Sequence, residues 1–204
     1  MSANPSDTND LPGSLAFLRA AERLKVMTRS AYTSAGQPET VAEHSWRLCL
    51  MALVFHEHFP EVELGRLLAM CVVHDLGEAI GGDVPAPEQA RRLAADPTAR
   101  KAMQEREDLL TLIAPLPASS RDAIRSLWDE YEAATTPTAR MAKALDKLET
   151  ILQHTQGQNP ADFDYGFNLG YGRAFTRDHP VIVALREILD TETARHARER
   201  VTKG

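Results

Sequence analysis

Cysteine is nearly absent from this chain of 204 residues: Cys49 and Cys71 are its only thiols. Two widely spaced cysteines build neither a disulfide framework nor a thiolate zinc site. Both fall in apolar stretches and read as small core residues, so a reducing cytoplasm is the expected setting. Aromatic residues are also sparse, at 6%. No apolar run approaches the roughly 20 residues a membrane span needs. The first ten residues lack the positive start and apolar core of a signal peptide. Positive charge is outnumbered, 23 Lys and Arg against 29 Asp and Glu, for a net charge of -6. That balance gives no basic face for nucleic acid. It still permits an anionic small molecule, provided metal ions supply positive charge locally. Strand-like alternation and internal repeats are missing too. What remains is an ordinary globular composition, 43% hydrophobic and 25% charged, and enough length for one domain with a buried core.

The helical period organises that composition. Residues 1–12 are polar and carry Pro5 and Pro12, so they read as a disordered lead-in. From Ser14 the pattern turns helical through Leu15, Phe17, Leu18, Ala21 and Leu24; residues 29–39 break it and read as a loop. Thr40-Val-Ala-Glu43 has the form of a capping box and predicts a helix to about His58. Val41, His44, Leu48, Met51 and Phe55 share one face of it, which turns His44 inward. A second helix is expected from about Glu61 to Ile80, apolar all round at its centre, and ended by Gly81-Gly82. Residues 86–100 read as a loop with a short helix, and 98–113 as a helix stopped by Pro115 and Pro117. Ser119 or Ser120 is expected to cap a helix to Glu132, and Thr136-Pro137 restarts one to about residue 154 with Met141, Leu145, Leu148 and Leu152 on one face. The stretch 155–173 resists assignment, and a last amphipathic helix covers about 178–199.

His74 and Asp75 interrupt the apolar centre of the second predicted helix. In that helix Glu78 stands one turn beyond His74, and the glycine pair lets Asp83 fold back toward the helix end. Such groups are costly to bury together unless something compensates them. A divalent cation does so, because it needs nitrogen and oxygen donors at one point. The inward His44 can meet His74 across a helix pair. Each observation has a plainer counterpart: a single inward histidine is usually a hydrogen-bonded core residue, and Glu78 and Asp83 fit a solvated helix end. A carboxylate near a helix C-terminus runs against the dipole, however, which favours a special reason for it. Asp146 lies off the Met141-Leu145-Leu148 stripe, and spacing alone makes it a surface carboxylate. His56 and His58, and the basic tail from Arg195 to Lys203, read as surface groups; Trp46 and Trp128 read as packing.

The order His44, His74-Asp75, Asp146 resembles the HD-domain superfamily of metal-dependent phosphohydrolases. Leu24-Lys25, Arg29, the run Glu39 to Ser45, His74 to Glu78, Gly82 to Pro85, Leu127 to Glu132 and Leu145 to Gln153 are similar to its 5'-deoxynucleotidase branch. The similarity covers roughly residues 14–190. It implies an all-α fold, a single compact HD domain at 13–199 of about six to nine helices, with 200–204 a flexible end.

The resemblance also implies a hydrolase of nucleotide metabolism that releases inorganic phosphate from nucleoside 5'-monophosphates. His44, His74, Asp75 and Asp146 would ligate a divalent metal, with Mn, Co, Mg, Fe and Zn all open. Glu78 and Asp83 would act on the nucleophilic water, Arg29 would contact substrate, and Glu78, Asp83 and the Val84 carbonyl would hold a second cation. Some bacterial relatives follow this arginine with a tryptophan tied to sugar selection; here Ser30 follows, and Tyr32 is the nearest aromatic. Family resemblance alone implies a homodimer. Two rivals stand beside this reading: an HD-type enzyme for phosphodiesters or nucleoside triphosphates, and a non-catalytic nucleotide-binding module.

Overall fold

The computed structural model describes residues 10–84, 88 and 100–201. Of the sequence readings, most of the N-terminal lead-in, nearly all of the stretch 86–99 and the last residues 202–204 lie outside them. Helix α1 (Leu11–Ala21) leads through a 3-10 turn (Glu22–Lys25) to strands β1 (Thr28–Tyr32) and β2 (Pro38–Thr40). Then come α2 (Val41–Phe55), a 3-10 turn (His56–His58), α3 (Leu64–Val73) and α4 (Glu78–Gly81). The rest of the chain forms α5 (Arg100–Ile113), α6 (Ala118–Ala133), α7 (Pro137–Gln156), α8 (Tyr165–Gly170) and α9 (Pro180–Val201). The fold is all-α apart from one antiparallel hairpin, β1 with β2. Among the described residues no helix is long and apolar enough to cross a membrane.

Local chemistry sets the helix starts. The Thr40 side chain accepts from Glu43 N–H at 3.2 Å, and the Glu43 carboxylate accepts from Thr40 N–H at 2.7 Å, so the capping box at α2 is complete. Thr136 caps α7 one way, its hydroxyl accepting from Ala139 N–H at 3.1 Å, with Pro137 in the first turn. At α6 Pro117, not Ser119 or Ser120, precedes the helix, and no side chain caps it.

Helix α7 is the axis of the molecule. It packs against α2, α3, α6, α9 and β1. Enclosed on so many sides, it buries 14 of its 20 residues. Leu48 of α2, Leu67 of α3, and Leu145, Leu148 and Ile151 of α7 are fully buried in one apolar cluster. Each such side chain contributes about 1.5–3 kcal/mol by leaving water. A second cluster joins Phe17, Val73, Leu76, Leu109, Ile113 and Trp128. Cys71 belongs to the first cluster, Val73 and Leu76 to the second, so the end of α3 lies where the two meet.

Three sequence expectations are corrected. The loop at 29–39 contains the hairpin, with Thr28 opposite Thr40 and Tyr32 opposite Pro38 and an irregular register between. Strands of five and three residues with a break in register are too short to show alternation. The hairpin is tied down at its turn. Gln158 N–H donates to Thr33 O at 3.0 Å, and Gly157 lies so close that a Cβ there would meet Tyr32 O at 2.0 Å. Second, the helix expected from Glu61 to Ile80 is two helices. The backbone tightens between them, where Leu76, Glu78 and Ala79 N–H each reach back three residues at 3.0–3.2 Å. Gly82, at φ +79°, then ends α4. Third, Trp46 is not a packing residue: 66% of it is exposed.

Candidate metal centre

The tightened turn after α3 delivers His74 and Asp75 to the side of α7. His44 arrives from α2, four residues past its capping threonine. The three side chains each offer a ligand atom within 4.8 Å of the others. The Nε2 atoms of His44 and His74 are 3.3 Å apart. Asp75 Oδ2 lies 2.9 Å from His74 Nε2 and 3.8 Å from His44 Nε2. Asp146 Oδ1 lies beside this group, 3.3 Å from His44 Nε2. Asp146 is only 4% exposed, so its surface assignment is corrected. The wheel misleads there because a helix that buries 14 of its 20 residues has little solvent face to assign it to.

These donors fit a cation. Around an ion roughly 2.0–2.2 Å from each ligand, neighbouring donors stand about 3 Å apart. Both histidines present Nε2, because each has its Nδ1 engaged elsewhere. His74 Nδ1 is 2.9 Å from the Cys71 carbonyl, and His44 Nδ1 is bonded to Glu149. Asp146 is oriented likewise: Tyr131 O–H and Lys147 Nζ both donate to its Oδ2 at 2.8 Å, which turns Oδ1 toward His44. Trp128 N–H donates to the His74 carbonyl at 3.1 Å and pins that residue's backbone; this tryptophan is buried, as expected of a packing residue.

The electrostatics divide the acids in two. Burial raises the Asp75 carboxyl, but His74 and Arg29 outweigh it and hold the group below the usual range. For Asp146 burial is likewise overcome, by Lys147 and by the two histidines. Burial and Arg29 work against a charged His44, yet Glu149 and Asp146 raise its imidazole to about 10. Glu78 behaves in the opposite way. Burial, with Asp75 and Asp83 nearby, pushes it up to about 9. Its Oε2 is buried without a hydrogen-bond partner among the described residues. An orphaned carboxylate oxygen facing a cluster of acids is what a cation or a substrate proton would satisfy.

The centre opens on a cleft of about 220 Å³. Arg29, Glu78, Asp83 and Val84 line it together with His74, Asp75 and Asp146. The hairpin sends Arg29 inward, where it donates to Asp75 Oδ2 at 3.3 Å and Thr150 Oγ1 at 3.1 Å, and its Nε lies 3.5 Å from Glu39. Ser30 also lines the cleft, and Lys143, Lys147, Tyr171 and Phe175 form a further wall. His56, half-buried, bonds the Val62 carbonyl, and His58 is exposed, so neither joins the centre. Sequence reasoning missed Glu149, Tyr131, Lys147 and Thr150. Glu149 left one signal: it is an acid between Leu148 and the Thr150-Ile151-Leu152 run, three residues from Asp146.

Comparison with known proteins agrees with this geometry. Residues 21–186 match the model of an HD domain family. The chain is 30% identical to the 5'-deoxynucleotidase HDDC2 of Danio rerio over 188 residues, 89% of this chain and 88% of that protein. It is 32% identical to the 5'-deoxynucleotidase hdd1 of Schizosaccharomyces pombe over 143 residues, 67% of this chain and 68% of the relative. A predicted metal-dependent phosphohydrolase of Magnetospirillum magnetotacticum, solved by crystallography, superimposes with a TM-score of 0.75 at 26% identity, covering 91% of this chain and 96% of that one. The chain belongs to the HD domain family, in its 5'-deoxynucleotidase branch.

Proposed function

We propose that this protein hydrolyses deoxynucleoside 5'-monophosphates to nucleoside and inorganic phosphate, using a divalent metal held by His44, His74, Asp75 and Asp146. The observation that carries the reading is the convergence of His44 Nε2, His74 Nε2 and Asp75 Oδ2, 2.9–3.8 Å from one another, with Asp146 Oδ1 3.3 Å from His44 Nε2, behind a cleft lined by His74, Asp75, Asp146, Arg29 and Glu78. A cation in that set polarises a phosphoryl oxygen and makes a water more acidic.

The chain's own residues supply the rest. A phosphate monoester is a dianion whose uncatalysed hydrolysis is extremely slow. Arg29 neutralises part of that charge and orients the phosphate with its planar fork of donors. Without a metal, burial and the neighbouring acids keep Glu78 protonated near neutral pH. The positive charge of a cation in the centre would favour its carboxylate, and in that form Glu78, whose Oε2 has no hydrogen-bond partner among the described residues, takes a proton from the attacking water. Asp83 raises the basicity of Glu78 by its negative charge and helps align that water. Glu78, Asp83 and the Val84 carbonyl line the same cleft and form the candidate site for a second cation. Lys143 and Lys147 also line the cleft and add positive charge there, Lys147 beside Asp146.

The state of the protein in the cell is part of the proposal. We place it in the cytoplasm, where the free thiols Cys49 and Cys71 persist. We also propose a homodimer. Trp46, Leu50, Leu53 and Val54 form an exposed apolar stripe on α2, on the side opposite His44, and a second copy of the chain would cover it.

The test is metal analysis of protein purified without chelator, then phosphate release from deoxyribo- and ribonucleoside mono-, di- and triphosphates and a cyclic phosphodiester, with added Mn²⁺, Co²⁺ or Mg²⁺. Release confined to monophosphates is expected. Preference for a diester or triphosphate would assign the chain to another chemistry of the same scaffold. Stoichiometric metal without hydrolysis of any substrate would make it a binding module.

A further inference from the structure

His44 is held from behind the centre by groups that never reach the cleft. Its Nδ1 is bonded to Glu149 Oε2. The other carboxylate oxygen of Glu149, Oε1, accepts from Arg47 Nε at 2.7 Å and pairs with Arg47 Nη2 at 2.6 Å. Arg47 Nη1 continues outward to Gln156 Oε1 at 3.2 Å. His44 and Glu149 are wholly buried, and the Arg47 side chain is 21% exposed. The arrangement follows from helix spacing. Arg47 is three residues from His44 on α2, and Glu149 is three residues from Asp146 on α7, so the two helices present one pair of groups to the candidate metal centre and another behind it.

The two histidines differ in what fixes them. His74 has its Nδ1 at a backbone carbonyl, which no side-chain change removes. His44 has a carboxylate, and a carboxylate does more than choose the tautomer: its charge makes the opposite nitrogen a better donor to a cation. A buried carboxylate is costly unless compensated, and Arg47 supplies the compensation.

We propose that Glu149, itself anchored by Arg47, is a positioning residue that holds the proton of His44 at Nδ1 and aims Nε2 at the metal centre, so that a cation would replace the Nε2 proton and not the Nδ1 proton. The inference rests on the metal reading and adds to it a dependence of metal affinity on a residue that touches neither ion nor substrate.

The experiment compares wild type, Glu149→Gln and His74→Ala, each stripped of metal and titrated with Mn²⁺ or Co²⁺ against a competing chelator, with circular dichroism as the check on folding. A glutamine carbonyl can accept from Nδ1, but its neutral amide then faces Arg47 and gives up the charge. The expected result is a loss of affinity of about 10- to 100-fold in Glu149→Gln, with turnover recovering as metal is raised. His74→Ala is expected to bind no metal. Unchanged affinity in Glu149→Gln beside a metal-free His74→Ala would overturn the role of Glu149 and leave the metal centre standing. Unchanged affinity in both would overturn the centre itself. Should Glu149→Gln unfold, the wild-type protein still decides. In the Zn²⁺-loaded form, long-range ¹H–¹⁵N correlation of the histidine rings is expected to show His44 protonated at Nδ1 alone, and a proton at its Nε2 would contradict the proposal.

Discussion

The Nε2 atoms of His44 and His74 lie 3.3 Å apart although the residues are 30 positions apart in the chain. Two mostly apolar helices, α2 and α3, thus bring two imidazoles edge to face, with ring centroids 5.4 Å apart. Close packing alone has no use for that contact. Beside Asp75 and Asp146 it becomes the core of a ligand set, and the predictions below follow from it.

Glu78 is expected to act on the water and not on the stability of the centre. Glu78→Gln keeps shape and burial but cannot take a proton. It should retain bound metal and lose about 10²- to 10⁴-fold in kcat. Metal content and phosphate release measured on one preparation decide the point; wild-type kcat would remove Glu78 from the mechanism.

Arg29 has a double duty that the sequence reading of a simple substrate contact did not include. Its guanidinium pairs with Asp75 and approaches Glu39, both largely buried. Arg29→Ala should therefore raise KM for the monophosphate and also destabilise the fold, by about 3–5 kcal/mol, because buried carboxylates lose their partner. Substrate titration and urea unfolding read the two effects separately. An unchanged KM would refute the phosphate contact.

His154 makes stability depend on pH. Its ring is buried against Phe163, its Nδ1 lies 3.0 Å from Asn168 Oδ1, and burial pushes its pKa down to about 4. In the unfolded chain the group titrates near 6.5. The fold therefore suffers no penalty from it above pH 6.5 and is weakened as pH falls from 6.5 toward 4, by on the order of 3 kcal/mol. Glu78, raised to about 9, acts in the opposite sense over the same range in both proteins, so urea unfolding at pH 7, 5.5 and 4.5 should show wild type losing stability relative to His154→Asn as pH falls. Parallel pH profiles of the two proteins would contradict the assignment.

How much of this was legible in the sequence depends on how local the signal is. The capping box of α2 and the threonine-proline start of α7 are read from a few adjacent residues, and they hold. The inward turn of His44 follows from its place among Val41, Leu48 and Met51, all buried. The hairpin was illegible because its strands are short and interrupted. Asp146 was illegible for a different reason. A helical wheel separates core from solvent, and α7 has core on nearly every side, so a buried carboxylate and a surface one look alike until the neighbours are known. The break between α3 and α4 depends on three backbone bonds of i+3 type, which composition does not encode.

The apolar stripe on α2 should matter for assembly. Replacing Leu50 and Leu53, 44% and 51% exposed, by glutamate is expected to convert a dimer to a monomer without unfolding it. Sedimentation velocity of both proteins tests this. A monomeric wild type would refute the dimer, and a dimeric variant would place the interface elsewhere.

Asp146 offers the most direct test of the metal centre, since its side chain meets the others only if the fold brings it there. Asp146→Asn preserves volume and can still bond Tyr131, so the protein should remain folded. Inductively coupled plasma analysis of protein purified without chelator is predicted to find stoichiometric divalent metal in wild type and a small fraction of that in the variant. Equal metal in both, or none in the wild type after exposure to Mn²⁺, Co²⁺, Zn²⁺, Fe²⁺ and Mg²⁺, would contradict it.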